Sequence, residues 1–144
     1  MTRLHAALLA LAFASTATPV RAEMPTHLSC TFIDGYSWTY DKGQFKATPV
    51  AKFSFEIDKI NLAKQTASLI FDGRTAHTLK VVRALSANSF IEVADEGFLN
   101  LTTVYSLDPE TGTYPAVHSR HFGLLGQPMF SQYAGSCTAK PETQ

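Results

Sequence analysis

An all-β fold, a single antiparallel β-barrel or β-sandwich of about eight strands closed by one disulfide, is what the sequence predicts. Three observations lead there. Apolar residues recur with a period of two, turn-forming residues punctuate the chain at intervals of roughly 8–12 residues, and the only two cysteines stand far apart.

The period-two runs come in order. Leu28, Cys30 and Phe32 alternate with Ser29 and Thr31, and Tyr36, Trp38 and Tyr40 alternate with Ser37 and Thr39. Ala51, Phe53, Phe55 and Ile57 alternate with Lys52, Ser54, Glu56 and Asp58, the pattern of a half-buried strand. Ala67, Leu69 and Phe71, then Leu79, Val81 and Leu85, give two more, and Leu99, Leu101, Thr103, Tyr105 and Leu107 share one face of another. Turns are expected at Asp34-Gly35, Asp41-Lys42-Gly43, Asp72-Gly73, Ser86-Ala87-Asn88, Glu96-Gly97, Asp108-Pro109 with Gly112, and Gly126-Gln127-Pro128. Residues 58–64 alone read as helix, or equally as a longer hairpin loop. No repeat, low-complexity tract or linker divides the chain, so residues 23–144 are expected to form one domain.

The first 22 residues have the three parts of a secretory signal: Arg3 and His5, an apolar run over 6–17, and the small-residue site Val20-Arg21-Ala22 after Pro19. The apolar run is too short to cross a bilayer, which takes about 20 residues. Cleavage near Ala22 and a periplasmic or secreted destination are expected. Export is the condition under which Cys30 and Cys137 would bond, since disulfides persist in oxidising compartments. The pair lacks the close C-x-x-C spacing of redox centres, so a structural staple is the expectation. Without the leader's Arg3 and Arg21, ten basic residues face twelve acidic ones, a net charge of −2. Lys and Arg are scattered singly, which argues against nucleic acid as a partner.

Chemistry-bearing residues gather in Ala116-Val117-His118-Ser119-Arg120-His121 and Ser131-Gln132-Tyr133. On a strand His118 and Arg120 share one face, Ser119 and His121 the other. His118 with Arg120 is therefore the better binding candidate, able to hold a carboxylate or phosphate jointly. Tyr133, and Tyr36 and Trp38 as the lining of a carbohydrate or lipid-binding mouth, complete the ligand-binding candidates. No metal is expected, because zinc ligands favour tighter spacing and His27 and His77 have no fixed place near the others. A triad of Ser119, His118 or His121, and Asp95 lacks a nucleophile elbow. Adjacent Asp95 and Glu96 read as turn residues, because a glycosidase pair must face across a cleft. Asn100-Leu101-Thr102 fits a glycosylation sequon but falls within an expected strand. No catalytic residue and no cofactor is assigned.

From Phe90-Ile91-Glu92 through Leu101-Thr102-Thr103-Val104-Tyr105 and the His118 segment to Cys137, the chain resembles small exported hypothetical proteins of alphaproteobacteria. The resemblance covers the last 50 or so residues, implies a periplasmic location and brings no catalytic residues. The leading expectation is a non-enzymatic exported β domain that binds a partner protein or small ligand in the cell envelope. A hydrolase or metal-dependent enzyme built on His118, Arg120 and His121 is one alternative; an envelope-integrity component without a ligand is another. Ligand binding calls for a cavity of ~300 Å³ or more at one end of the barrel.

Overall fold

The computed structural model describes residues 24–94, 97–122 and 126–141; the expected signal and the Asp95-Glu96 pair lie outside them. Nine strands follow one another: β1 (Leu28–Asp41), β2 (Gln44–Pro49), β3 (Phe53–Asn61), β4 (Thr66–Phe71), β5 (Arg74–Arg83), β6 (Ala87–Ala94), β7 (Phe98–Tyr105), β8 (Tyr114–Phe122) and β9 (Met129–Ala139). Every pairing is antiparallel. β3 to β9 run as a meander, and β9 returns to β1 to close an eight-stranded barrel, with β2 as an extra strand beside it.

β1 makes this arrangement possible by changing partners along its length. Its first half pairs with β3, from Leu28 opposite Ile57 to Phe32 opposite Phe53. Its second half pairs with β2, from Tyr36 opposite Pro49 to Asp41 opposite Gln44. β9 runs along both halves on the other side. The turn expected at Asp34-Gly35 is therefore not a turn. The chain passes straight through it, and the register with β9 slips between Phe32 and Asp34. An extra residue in one strand is a β-bulge, and it reverses which side chains face the core. Leu28, Cys30 and Phe32 are fully buried before the bulge; Tyr36 and Tyr40 are exposed after it.

Glycine permits the tight seam. A Cβ at Gly135 would overlap the Thr31 carbonyl oxygen and lie 2.7 Å from Phe32 Cα; one at Gly35 would overlap the Gln132 carbonyl and lie 3.0 Å from Tyr133 Cα. These are backbone atoms, so strands must move to admit a methyl. Gly135→Ala is expected to cost ~2–3 kcal/mol, as overpacking commonly does. A thermal melt checks this, and an unchanged midpoint would show that the seam opens freely.

Residues 58–64 resolve as a hairpin rather than a helix. β3 runs to Asn61, whose Oδ1 accepts the Lys64 amide at 2.8 Å, and Lys59 and Gln65 take positive φ. Two expected turns are two-residue hairpin loops with both φ values positive, Lys42-Gly43 and Asp72-Gly73. The barrel's waist is solid: Phe32, Phe90, Leu28, Ile57, Val81 and Val104 are fully buried there. Cys30 and Cys137 sit opposite each other on β1 and β9, are bonded, and are fully buried. The first and last strands are thus side by side. Near the same end, Glu56 accepts hydrogen bonds from His27 Nε2 at 2.8 Å and from Lys140 Nζ. The bond to Lys140 is the main reason the Glu56 carboxyl is held below the usual range.

Candidate functional site: an arginine inside the barrel

The face shared by His118 and Arg120 on β8 turns inward. Inward-facing neighbours follow from register. Tyr133 lies opposite His118 on β9, and Thr102 lies opposite it on β7. Arg120 lies between Ser131 and Asn100, and Glu92 lies beyond Asn100 on β6. His118, Arg120 and Tyr133 are therefore brought together as one cluster, along with Glu92, Asn100 and Thr102.

Hydrogen bonding fixes the state of the histidine. Arg120 Nε can only donate, and it lies 3.1 Å from His118 Nε2, so that nitrogen accepts. The proton is then on Nδ1, which donates to Thr102 Oγ1 at 2.8 Å. The ring is neutral. Burial, and then the Arg120 charge, push its pKa down to about 3. Aromatic rings from Phe32, Phe53, Phe55 and Tyr133 surround it at centroid distances of 5.3–5.9 Å.

Arg120 is held by faces rather than by a counter-charge. Its guanidinium carbon lies 4.5 Å from the Phe53 ring centre and 5.5 Å from that of Tyr133, two cation–π contacts made by rings that pack edge-on against each other at 4.6 Å. No carboxylate among the described residues pairs with it. Beside it, Asn100 Nδ2 donates to Glu92 Oε2 at 2.7 Å, while Asn100 Oδ1 is buried without a partner. His77 Nε2 approaches the other Glu92 oxygen at 3.7 Å. Arg120, Asn100, Glu92, His118 and Thr102 line a pocket of about 50 Å³ whose remaining walls are apolar, including Phe55, Leu69, Leu79 and Phe90. That is room for a few water-sized groups. It is smaller than the cavity a drug-sized ligand would need; the larger opening lies at the other end of the barrel.

Tyr36 and Trp38 are not in this site, and neither borders the wide opening at the other end. The bulge turns them to the outer wall, where Trp38 stacks on Phe130 at 4.9 Å and Tyr36 lies 5.9 Å from Trp38. Tyr40 and Phe45 extend the patch. Cross-strand register carries it round the barrel, from Trp38 through Phe130, His121 and Leu99 to Val93.

For an enzyme, the geometry of His118 is unfavourable. Its one acceptor nitrogen already takes a hydrogen from Arg120, and Ser119 and His121 occupy the other face of β8. Asp95 lies outside the described residues. His27 is buried against Glu56, away from this cluster, whereas His77 does reach the cluster through Glu92. Among the described residues no three His, Cys, Asp or Glu side chains converge as a metal site, and no helix is long and apolar enough to cross a membrane.

Glu92, Asn100 and Thr102 escaped sequence reasoning for one reason. The apolar set on β7, Leu99, Leu101 and Tyr105, draws the eye as the core face, but Asn100, Thr102 and Val104 face inward and Leu99 and Tyr105 are exposed. A usable signal was Phe90 with Glu92: a large apolar residue and an acid two apart on one face place the acid inside. No family model, curated protein or solved structure matches this chain.

Proposed function

We propose that this chain is an exported, non-enzymatic binding barrel whose inner Arg120 site holds a small ligand in the cell envelope. One observation carries the reading: a guanidinium that forms no ion pair with any described residue and a buried, unpartnered amide oxygen line the same pocket. A buried polar atom left unbonded costs on the order of 1–3 kcal/mol, which a bound polar group recovers. Arg120 offers hydrogens, whereas Asn100 Oδ1 and Glu92 accept them. The matching head group is an acceptor on one side and a donor on the other. A primary amide has that form, and so does the zwitterion of a small amino acid, its carboxylate towards Arg120 and its ammonium towards Glu92. A bare anion suits the site less, because Glu92 repels it. The three-part signal pattern expected over residues 1–22 supports the compartment.

Titration of ¹⁵N-labelled protein with acetamide and glycine, against acetate and methylammonium, tests the reading. The first two probes are expected to shift the Arg120 Nε–H and Asn100 side-chain resonances saturably, and the single-charge probes are not. Arg120→Lys keeps the charge but loses the planar fork. It should weaken binding about tenfold, or ~1.4 kcal/mol. Equal response to acetate, or no response to any probe, would overturn the assignment.

A further inference from the structure

The end of the barrel opposite Arg120 carries a second site. The segment entering β1, the β3–β4 and β5–β6 turns and the β7–β8 loop enclose a depression of about 920 Å³. This lies within the range of small-molecule sites, ~300–1,000 Å³. Much of its wall is apolar, from Met24, Ile60, Leu62, Leu107 and Tyr114. Met24 and Leu62 pack directly on the core, so the floor is continuous with the barrel interior.

Two polar groups stand out against it. Asn88 faces inward, like Phe90 two residues on, and is only 7% exposed. Its side chain makes no hydrogen bond to any described residue, yet it borders the depression. Arg83 is its cross-strand neighbour and lies on the exposed rim. Among the lining residues Arg83 is the one charged side chain; no Asp or Glu is there. Nor does Arg83 form an ion pair with any described residue. A largely apolar floor, an inward-facing amide whose polar atoms are accessible and unbonded, and a cation without an ion-pair partner among the described residues together describe the complement of one ligand class. We infer that this depression binds a free long-chain carboxylate, its head held by Arg83 and Asn88 and its chain laid along Ile60, Leu62 and Leu107. The inference is independent of the Arg120 site.

Dodecanoate below its micellar concentration is the probe, with dodecyltrimethylammonium as the control of opposite charge. NMR titration of labelled protein should show saturable shifts at the Asn88 side-chain amide, Leu62 and Leu107 with dodecanoate alone. Arg83→Glu, an exposed change that leaves the core untouched, should weaken binding at least tenfold, with Arg83→Gln intermediate. Arg120→Lys should leave it unchanged. Equal binding of the cationic amphiphile, shifts confined to the outer Trp38–Phe130 wall, no saturable response, or an unaltered affinity in Arg83→Glu would each overturn the inference.

Discussion

Reduction of the Cys30–Cys137 bond is expected to lower the unfolding midpoint by about 15 °C. The bond joins residues 107 apart in sequence, spanning nearly the whole described chain. Closing a loop of that length removes conformational freedom from the unfolded chain worth ~4–5 kcal/mol. Each kcal/mol moves the midpoint of a domain this size by roughly 3–5 °C. The folded barrel keeps its other ties across the seam, because β1 and β9 stay hydrogen-bonded from Leu28–Ala139 to Thr39–Met129. The reduced protein should therefore still fold, with the loss appearing as lowered stability and not as a changed strand order. Thermal melts followed by circular dichroism, with and without reductant, measure it. A Cys30→Ala/Cys137→Ala double variant separates loop closure from side effects of reductant. A shift of only a degree or so in both would mean that β1–β9 pairing alone sets the stability of the seam.

Local chemistry made most of the strands legible, because a strand advertises itself through alternation and its turns through glycine and aspartate. The β1 bulge could not be read in the same way. Asp34-Gly35 has the composition of a turn, and only the partner strand reveals that the chain continues. Gly35 is there because β9 approaches too closely for a side chain. One hidden residue then moved Tyr36 and Trp38 from the inner face, where they would be core or a candidate mouth, to the outer wall. The candidate site was legible in part for a related reason. His118 and Arg120 could be put on one face from spacing alone, but which face was inner depended on strands far off in sequence. Tyr133, Thr102, Asn100 and Glu92 come to them only through barrel closure.

Closure also explains how one small barrel can hold two different pockets. The fully buried residues form a plug at the waist, so neither end needs to be compatible with the other. At one end the pocket is small, with Arg120, Glu92 and Asn100 set among apolar walls, and at the other the depression is wide, with Arg83 as the charged side chain in its lining. The plug and the disulfide stabilise the walls while the ends carry the two pockets. Sites mounted on strand interiors are held more rigidly than sites on loops. That applies to Arg120, whose neighbours all lie on strands, more than to Arg83 at the rim.

The second large effect is on acid stability, and it comes from His118. In the unfolded chain its imidazole has the ordinary value of 6.5; folded, it is pushed down to about 3. Above pH 6.5 both states are neutral and the group has no influence. As pH falls below 6.5 the unfolded chain takes up a proton that the folded protein refuses. Stability then declines down to about pH 3 and levels off. The slope is at most ~1.4 kcal/mol per pH unit, and the whole window is worth on the order of 5 kcal/mol. Glu56, held below 4.5, adds a loss of the same sign as its own carboxyl protonates at lower pH. The interval from pH 6.5 to 4.5 thus lies above the Glu56 window and isolates the histidine from it. His118→Asn is the matched control, since an amide there can offer a carbonyl to Arg120 and an N–H to Thr102 without titrating. Urea unfolding at several pH values should show wild type losing ~2 kcal/mol or more across that interval while the variant stays nearly flat. Parallel curves would mean that the folded barrel accepts the proton after all, and with it that Nε2 is not committed to Arg120.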